Sequence, residues 1–191
     1  PMTLLGTSVQ VLPGRNPALG FSRRPEQEHR DHLKPLPMTK DLVSVTLVTY
    51  NSGRFIKRCL ESVLEQKYPH LEVIVIDNAS TDGTVDLLEQ FQDTCRVSYN
   101  TENAGFAAAQ NQAIALANGE WVLALNPDML LLPDFIQALV DAGRLDQKIG
   151  TVFGKLLSIL ASFHLPEKQL IDSIGIHFTP LLQHVDRSSK H

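Results

Sequence analysis

The feature that most constrains this fold is an alternation of strand-like and helix-like segments that begins at residue 41. Residues 43–50, 71–76, 96–99 and 121–125 predict strands, because β-branched and other apolar residues dominate them. Between and after them, residues 55–66, 84–91, 106–118 and 133–142 predict helices. Single helices between successive strands indicate right-handed βαβ units. The sequence therefore predicts an α/β fold, a Rossmann-like and mostly parallel sheet flanked by helices.

The two ends of the chain differ from this central pattern. Residues 1–40 hold six of the 11 prolines and lack hydrophobic periodicity, which predicts a disordered or loosely packed leader. Residues 41–191 are predicted to form one domain. Gly119 is expected to end the third helix. Residues 151–155 predict a further strand, and residues 171–177 and 179–185 are each compatible with one.

Composition restricts the class of partner and the cellular setting. The net charge of −4 gives no reason to expect a nucleic-acid partner. Two cysteines, Cys59 and Cys95, fit neither a disulfide framework nor a metal cluster, so we expect small semi-buried thiols in a reducing, cytoplasmic setting. No run reaches the roughly 18–20 apolar residues that span a bilayer. A peripheral contact at the inner face of the plasma membrane stays open.

Polar side chains follow three of the predicted strands. In open parallel sheets the ligand site lies beyond the carboxyl ends of the strands. We therefore expect these side chains to meet along one edge. They are Thr49, Tyr50 and Asn51 after the first strand, Asp77 and Asn78 after the second, and Asn126 and Asp128 after the fourth.

Two of these residues, and one stretch before the third helix, have both a structural and a chemical interpretation. Asp77 is either a turn residue or a carboxylate that accepts hydrogen bonds from a nucleotide base or ribose. Asp128 follows Asn126 and Pro127, so it belongs either to a type I turn or to a site where a divalent cation bridges two phosphates. The stretch from Asn103 to Phe106 either caps a helix or presents helix N–H groups to phosphate or sugar hydroxyls.

Four segments together resemble family 2 glycosyltransferases. They read VSVTLVTYN, EVIVIDNASTDGT, NTENAGFAAAQNQAI and GEWVLALNPDM, in this order, over residues 42–154. The resemblance is closest to the bacterial rhamnosyltransferase-like branch, and it implies a GT-A fold. It also implies roles for single residues. Thr49, Tyr50 and Asn51 would line the nucleoside pocket, Asp77 would contact the base, Asn103, Gly105, Asn111 and Asn126 would border the donor, and Asp128 would hold Mg²⁺ or Mn²⁺.

The sequence departs from the family pattern at two places. Asn126 replaces an acidic first position in the metal motif, which implies a weaker or differently organised metal dependence. Inverting members also place a catalytic base in a later acidic segment, and no such segment follows Asp172 and Asp186. We therefore expect the base beyond His191, in an acceptor-binding part that this sequence lacks.

The resemblance leads to one principal hypothesis and two alternatives. The principal one is a metal-dependent enzyme of cell-surface polysaccharide synthesis. It would move a sugar from a UDP- or dTDP-linked donor to a glycan or lipid-linked acceptor with inversion. The first alternative is a truncated, inactive nucleotide-sugar-binding module. The second, a dinucleotide-dependent oxidoreductase, is disfavoured because no G-x-G-x-x-G follows the first strand.

Overall fold

A computed structural model describes residues 10–13, 39–157, 171–173, 176–178 and 184–186, with side chains described over 40–157. These residues form strands and helices in the following order: β1 (Gln10–Pro13), β2 (Thr39–Thr49), α1 (Ile56–Leu64), β3 (Leu71–Asp77), α2 (Thr84–Glu89), β4 (Arg96–Tyr99), α3 (Phe106–Leu116), β5 (Gly119–Leu125), α4 (Phe135–Gly143), β6 (Leu156–Leu157), β7 (Ile171–Ser173), β8 (Ile176–Phe178) and β9 (His184–Asp186).

The main sheet has five strands in the order β1-β5-β2-β3-β4. Strands β5, β2, β3 and β4 are mutually parallel, and β1 pairs antiparallel with the outer edge of β5. The short strands form two separate antiparallel pairs, β6 with β7 and β8 with β9. The expected α/β fold with a mostly parallel sheet flanked by helices is confirmed.

Apolar side chains cover both faces of the sheet because successive residues of a strand point to opposite sides. One face of β2 and β3 packs with α1, α2 and α4 through residues such as Val45, Leu47 and Val75. The other face packs against α3 through Val48, Ile74 and Ile76. Strand β2 is thus hydrogen-bonded on both edges and packed on both faces, which fixes the positions of the residues that follow it.

Three boundary expectations need correction. Gly119 does not end α3 but opens β5, where a Cβ would lie 2.6 Å from the Leu42 carbonyl oxygen, so the close strand approach requires glycine. Residues 151–155 form no strand. Gly154 instead lies against the Phe135 ring, where a Cβ would meet ring carbons at 2.4 Å. Within the expected leader, Gln10–Pro13 form β1; residues 1–9 and 14–38 lie outside the described residues.

Two further findings concern the cysteines and the membrane. Cys59 and Cys95 are both free thiols, and both are buried where semi-buried side chains were expected. Across the described part of the chain, every helix is too short or too polar to cross a bilayer.

Candidate functional site

The strand register brings the polar strand ends to one edge of the sheet. Thr49 at the end of β2 lies opposite Asp77 at the end of β3, and Asp77 lies opposite Tyr99 of β4. On the other side of β2, Leu47 lies opposite Leu125, so Asn126 and the residues after it reach the same level. The backbones of β3 and β5 are two strand spacings apart, about 10 Å. A single extended ligand can therefore contact the ends of both strands.

Asp77 is held in one orientation at this edge. Its side chain is 1% exposed. The Thr49 hydroxyl donates to Asp77 Oδ1 (2.7 Å), the Ser80 hydroxyl donates to the same oxygen (2.6 Å), and the Ser80 N–H donates to Oδ2 (2.9 Å). An ionised carboxylate has about four acceptor positions. Three are used within the protein, so one remains for an incoming N–H or O–H group.

The loop between β2 and α1 is fastened to the loop between β3 and α2. Three consecutive N–H groups of the first loop donate to side chains of the second loop or of the first residue of α2: Asn51 to Ser80 Oγ (2.9 Å), Ser52 to Thr84 Oγ1 (2.8 Å) and Gly53 to Asp82 Oδ2 (3.0 Å). The Thr81 N–H donates in return to Asn51 Oδ1 (2.9 Å). Tyr50, at the start of this loop, is 53% exposed. These hydrogen bonds fix the two loops to each other beside the end of β3.

The β4–α3 loop approaches the same edge from the opposite face of the sheet. Asn103 Oδ1 accepts hydrogen bonds from Asn78 Nδ2 (3.0 Å) and from the Gly105 N–H (2.9 Å). Gly105 has φ +82°, a backbone conformation that residues other than glycine adopt only at an energetic cost. Helix α3 then begins at Phe106, and no side chain caps the N–H groups of its first turn.

Asp128 occupies a tight turn at the end of β5. The Met129 N–H donates to the Asn126 carbonyl oxygen (3.2 Å), so Asn126, Pro127 and Asp128 form the expected turn. A turn at this position does not exclude the cation interpretation. The Cys59 thiol donates to the same carbonyl (3.6 Å). Asp128 Oδ1 is buried and has no hydrogen-bond partner, and burial raises the pKa of this carboxyl above its usual value. An unpaired, buried carboxylate oxygen is costly unless a ligand uses it.

The chemistry of Asp128 fits a hard divalent cation. Mg²⁺ and similar ions take oxygen ligands and are commonly bound by one or two carboxylates together with substrate phosphates. Among residues 40–157, the structure brings no three His, Cys, Asp or Glu side chains together as a metal cage. Asp128 would therefore be one protein ligand, and phosphate oxygens would supply others.

The structure separates the sequence-derived site residues into two groups. One group lies along the edge described above: Thr49, Tyr50, Asn51, Asp77, Asn103, Gly105, Asn126 and Asp128. The second group is Asn111 alone, which is exposed on α3 about one and a half turns into the helix; the buried side of this helix carries Ala109, Gln110 and Ala113. Within the first group Thr49 is fully buried and reaches the edge only through its hydrogen bond to Asp77.

The sequence predicts that Asn78 lies at this edge but gives it no individual role; the residue is 1% exposed and connects the end of β3 to the β4–α3 loop. The signal was available in the strand alternation. Asp77 shares the face of Val73 and Val75, so the next residue must face α3, as Ile74 and Ile76 do.

Comparisons with known proteins identify the family of this chain. The profile of the family described as glycosyl transferase family 2 matches residues 44–184. The chain is 42% identical over 92 residues to a Bacillus subtilis (strain 168) protein named as a teichuronic acid biosynthesis glycosyltransferase, TuaG; the alignment covers 47% of this chain and 36% of that protein. It is 34% identical over 148 residues to chondroitin synthase of Escherichia coli, covering 76% of this chain and 21% of the synthase.

A solved structure is also similar. The mannosyltransferase PcManGT from Pyrobaculum calidifontis, in complex with GDP-Man and Mn²⁺, superimposes with a TM-score of 0.52 at 33% identity. The match covers 59% of this chain and 35% of that structure. The alignments thus span between 21% and 36% of the length of these three proteins.

Proposed function

Since the chain belongs to glycosyl transferase family 2, we propose that it moves a sugar from a UDP- or dTDP-linked donor to a glycan or lipid-linked acceptor, with inversion at the anomeric carbon. The observation that carries this proposal is one sheet edge that holds both Asp77, with one acceptor position left, and Asp128, with an unpaired buried oxygen. The first suits a base N–H, and the second suits a cation on the diphosphate.

The nucleoside half of the proposed pocket lies between the β2–α1 loop and Asp77. The exposed Tyr50 ring offers a face on which a base can stack. Uracil and thymine each carry one ring N–H between two carbonyl groups, and the remaining acceptor position of Asp77 suits that donor. Guanine also offers N–H donors, and the similar mannosyltransferase structure contains GDP-Man. Direct competition between nucleotides therefore decides the base.

The diphosphate half lies at the end of β5. Asp128 would hold Mg²⁺ or Mn²⁺, which when bound supplies positive charge against the leaving nucleoside diphosphate. Asn126 would border the donor through its side chain, because its carbonyl oxygen already accepts a hydrogen bond from the Met129 N–H. Asn103 and Gly105 would border the sugar and phosphates from the α3 side.

The proposed reaction is a single displacement. The acceptor hydroxyl oxygen forms a bond to the anomeric carbon as the bond from that carbon to the diphosphate oxygen breaks. The hydroxyl proton passes to a general base, and the nucleoside diphosphate leaves with the bonding electron pair. None of the residues that the structure describes is assigned as this base. A lipid-linked acceptor would place the enzyme at the inner face of the plasma membrane.

A binding module without turnover is the competing proposal, since the chain aligns with only 21–36% of its relatives' lengths. Both proposals predict nucleotide binding, so a transfer assay separates them. Release of UDP from UDP-glucose, or of dTDP from dTDP-rhamnose, by this chain in the presence of Mn²⁺ and acceptor glycans contradicts the binding module. Release of dTDP in preference to UDP supports the rhamnosyltransferase-like branch.

A thermal-shift screen tests the binding step that both proposals share. We expect UDP or dTDP with Mn²⁺ to stabilise the protein, by about 3 kcal/mol at one hundred times Kd, or roughly 5–10 °C in Tm. Asp128→Ala should lose the Mn²⁺-dependent part of the shift. Asp141→Ala removes an exposed carboxylate from the far part of α4 and should keep it. No stabilisation by UDP, dTDP or GDP, with or without Mn²⁺, contradicts the proposal.

A further inference from the structure

Asn78 connects the end of β3 to the β4–α3 loop through its side chain. Its Nδ2 donates to Asn103 Oδ1 (3.0 Å), and its Oδ1 accepts from Asn100 Nδ2 (2.9 Å) and from the Ala104 N–H (3.2 Å). Its own N–H donates to the Thr49 carbonyl oxygen (2.8 Å). The side chain is almost fully buried. Both acceptor positions of this amide, and one of its two N–H donors, are thus hydrogen-bonded to the β4–α3 loop.

Two backbone N–H groups determine which way the amides point. A backbone N–H can only donate, so the Asn78 atom that faces Ala104 must be oxygen. Its nitrogen must then face Asn103, which has to present an oxygen. The Gly105 N–H imposes the same requirement on Asn103 independently. The two constraints agree, and together they leave no other arrangement of these side chains.

This arrangement separates asparagine from aspartate at position 78. A carboxylate of the same shape would still accept from Ala104 and Asn100, but it could not donate to Asn103. Its second oxygen would face Asn103 Oδ1. Rotating the Asn103 amide would relieve that repulsion only by turning an NH₂ group toward the Gly105 N–H. In either case the Gly105 N–H loses its hydrogen bond to Asn103 Oδ1, or the loop moves to avoid the repulsion.

We propose that Asn78 is a positioning residue for donor binding, and that its amide holds the loop from Asn103 to Gly105 in the shape that meets the donor. This inference rests on the proposed function, because the loop matters to catalysis only if a nucleotide sugar lies against it. Asn78 acts through Asn103 and not by contact with the donor.

The first test needs no ligand. In ¹H–¹⁵N spectra of Asn78→Asp at pH 7, the Gly105 amide proton should move upfield as its hydrogen bond is lost, while Ala104 keeps its partner. At pH 5 and below, protonation gives the introduced carboxyl an O–H donor, and the Gly105 signal should return toward the wild-type position. The wild type at each pH controls for other titrating groups. A Gly105 signal unchanged at pH 7, or a variant still unfolded when protonated, overturns the proposal.

Asn103→Asp is the mirror control. It adds the same charge at the other end of the same hydrogen bond, but position 103 only accepts, so both of its bonds survive. Its Gly105 signal should therefore stay that of a hydrogen-bonded amide. Loss of the bond in both variants would show that charge, and not the donor at position 78, is responsible, and would contradict the proposal.

The second test measures nucleotide affinity by isothermal titration with UDP and dTDP in the presence of Mn²⁺. Asn78→Asp should weaken binding about tenfold at pH 7, as expected for one lost hydrogen bond, and should recover on acidification relative to the wild type. Gln112→Glu is the charge control: it is exposed, and its oxygen still accepts from Asn100. A Gly105 shift with unchanged affinity overturns the positioning role, whereas a wild type that binds neither nucleotide overturns the proposed function instead.

Discussion

Asp128 is the residue at which stability and ligand binding oppose each other. Its Oδ1 is buried without a partner, and burial raises the pKa of the carboxyl. The pKa in the folded protein thus lies above that in the unfolded chain. The ionised side chain therefore destabilises the fold at any pH above its folded pKa, and this penalty disappears below the unfolded pKa. Such a penalty is expected where a carboxylate is kept for a ligand.

Asp128→Asn tests this interpretation directly. At pH 7 the ligand-free variant should be more stable than the wild type, by about 2–4 °C in Tm if roughly 1 kcal/mol of burial penalty is removed. The same variant should lose stabilisation by Mn²⁺ with UDP or dTDP. Thermal melts with and without these ligands measure both effects, with Asp141→Asn as the surface control. A ligand-free variant less stable than the wild type would contradict the account of Asp128.

The sequence predicted the edge residues better than their contacts. Strand alternation and the carboxyl-end rule are local patterns, and they were enough to place Thr49, Asp77 and Asp128 at one edge. Hydrogen bonds such as that between Asn78 and Asn103 join residues 25 positions apart. Such a contact depends on the relative placement of a strand end and a loop, which no periodicity encodes.

At the scale of elements, the strands and helices from β2 to α4 lie where the pattern predicted them, within a few residues at the ends. The misses have tertiary causes. Gly119 resembles a helix stop locally, but the approach of Leu42 makes it the first residue of β5. Residues 151–155 are β-prone locally, yet Gly154 packs against Phe135 of α4. The partner of the outer edge of β5 comes from residues 10–13, far away in sequence.

The loop pair formed by the β2–α1 and β3–α2 connections gives a pH prediction. Hydrogen bonds from the Thr84 hydroxyl, and then from the Gly53 and Thr84 N–H groups, lower the pKa of the Asp82 carboxyl. Its folded pKa is below its unfolded pKa, so its stabilising contribution is present above the unfolded pKa and is lost as pH falls through the folded value. Asp82→Asn should therefore lower Tm at pH 7 and lose less Tm than the wild type on acidification.

Thermal melts from pH 7 to pH 3 provide the measurement. Asp86→Asn is the matched control, since it removes a carboxylate from the first turn of the same helix, where none of these loop hydrogen bonds is made. Identical acid dependence of Tm in Asp82→Asn and the wild type would contradict the proposed role of Asp82 in joining the two loops.

At the scale of the whole molecule, the two edges of the sheet are chemically different. The amino edge is closed by the protein itself: Glu72 accepts from the Asn118 N–H (2.6 Å) and from Asn118 Nδ2 (3.0 Å). The carboxyl edge keeps an acceptor position on Asp77 and an unpaired oxygen on Asp128. Strand β3, with seven residues, sets the two edges about 20 Å apart. The central claim is that a nucleotide and its cation occupy the carboxyl edge alone.

Paramagnetic broadening by Mn²⁺ tests that claim most directly, because the effect falls steeply with distance from the ion. In ¹H–¹⁵N spectra of the protein with UDP or dTDP, replacing Mg²⁺ by Mn²⁺ should broaden the amide signals of Asn78 and Gly105 strongly. The signals of Glu72 and Gly119 at the amino edge should remain sharp, and Asp128→Ala should abolish the difference. Broadening centred on Glu72 and Gly119, or spread equally over both edges, would contradict the account.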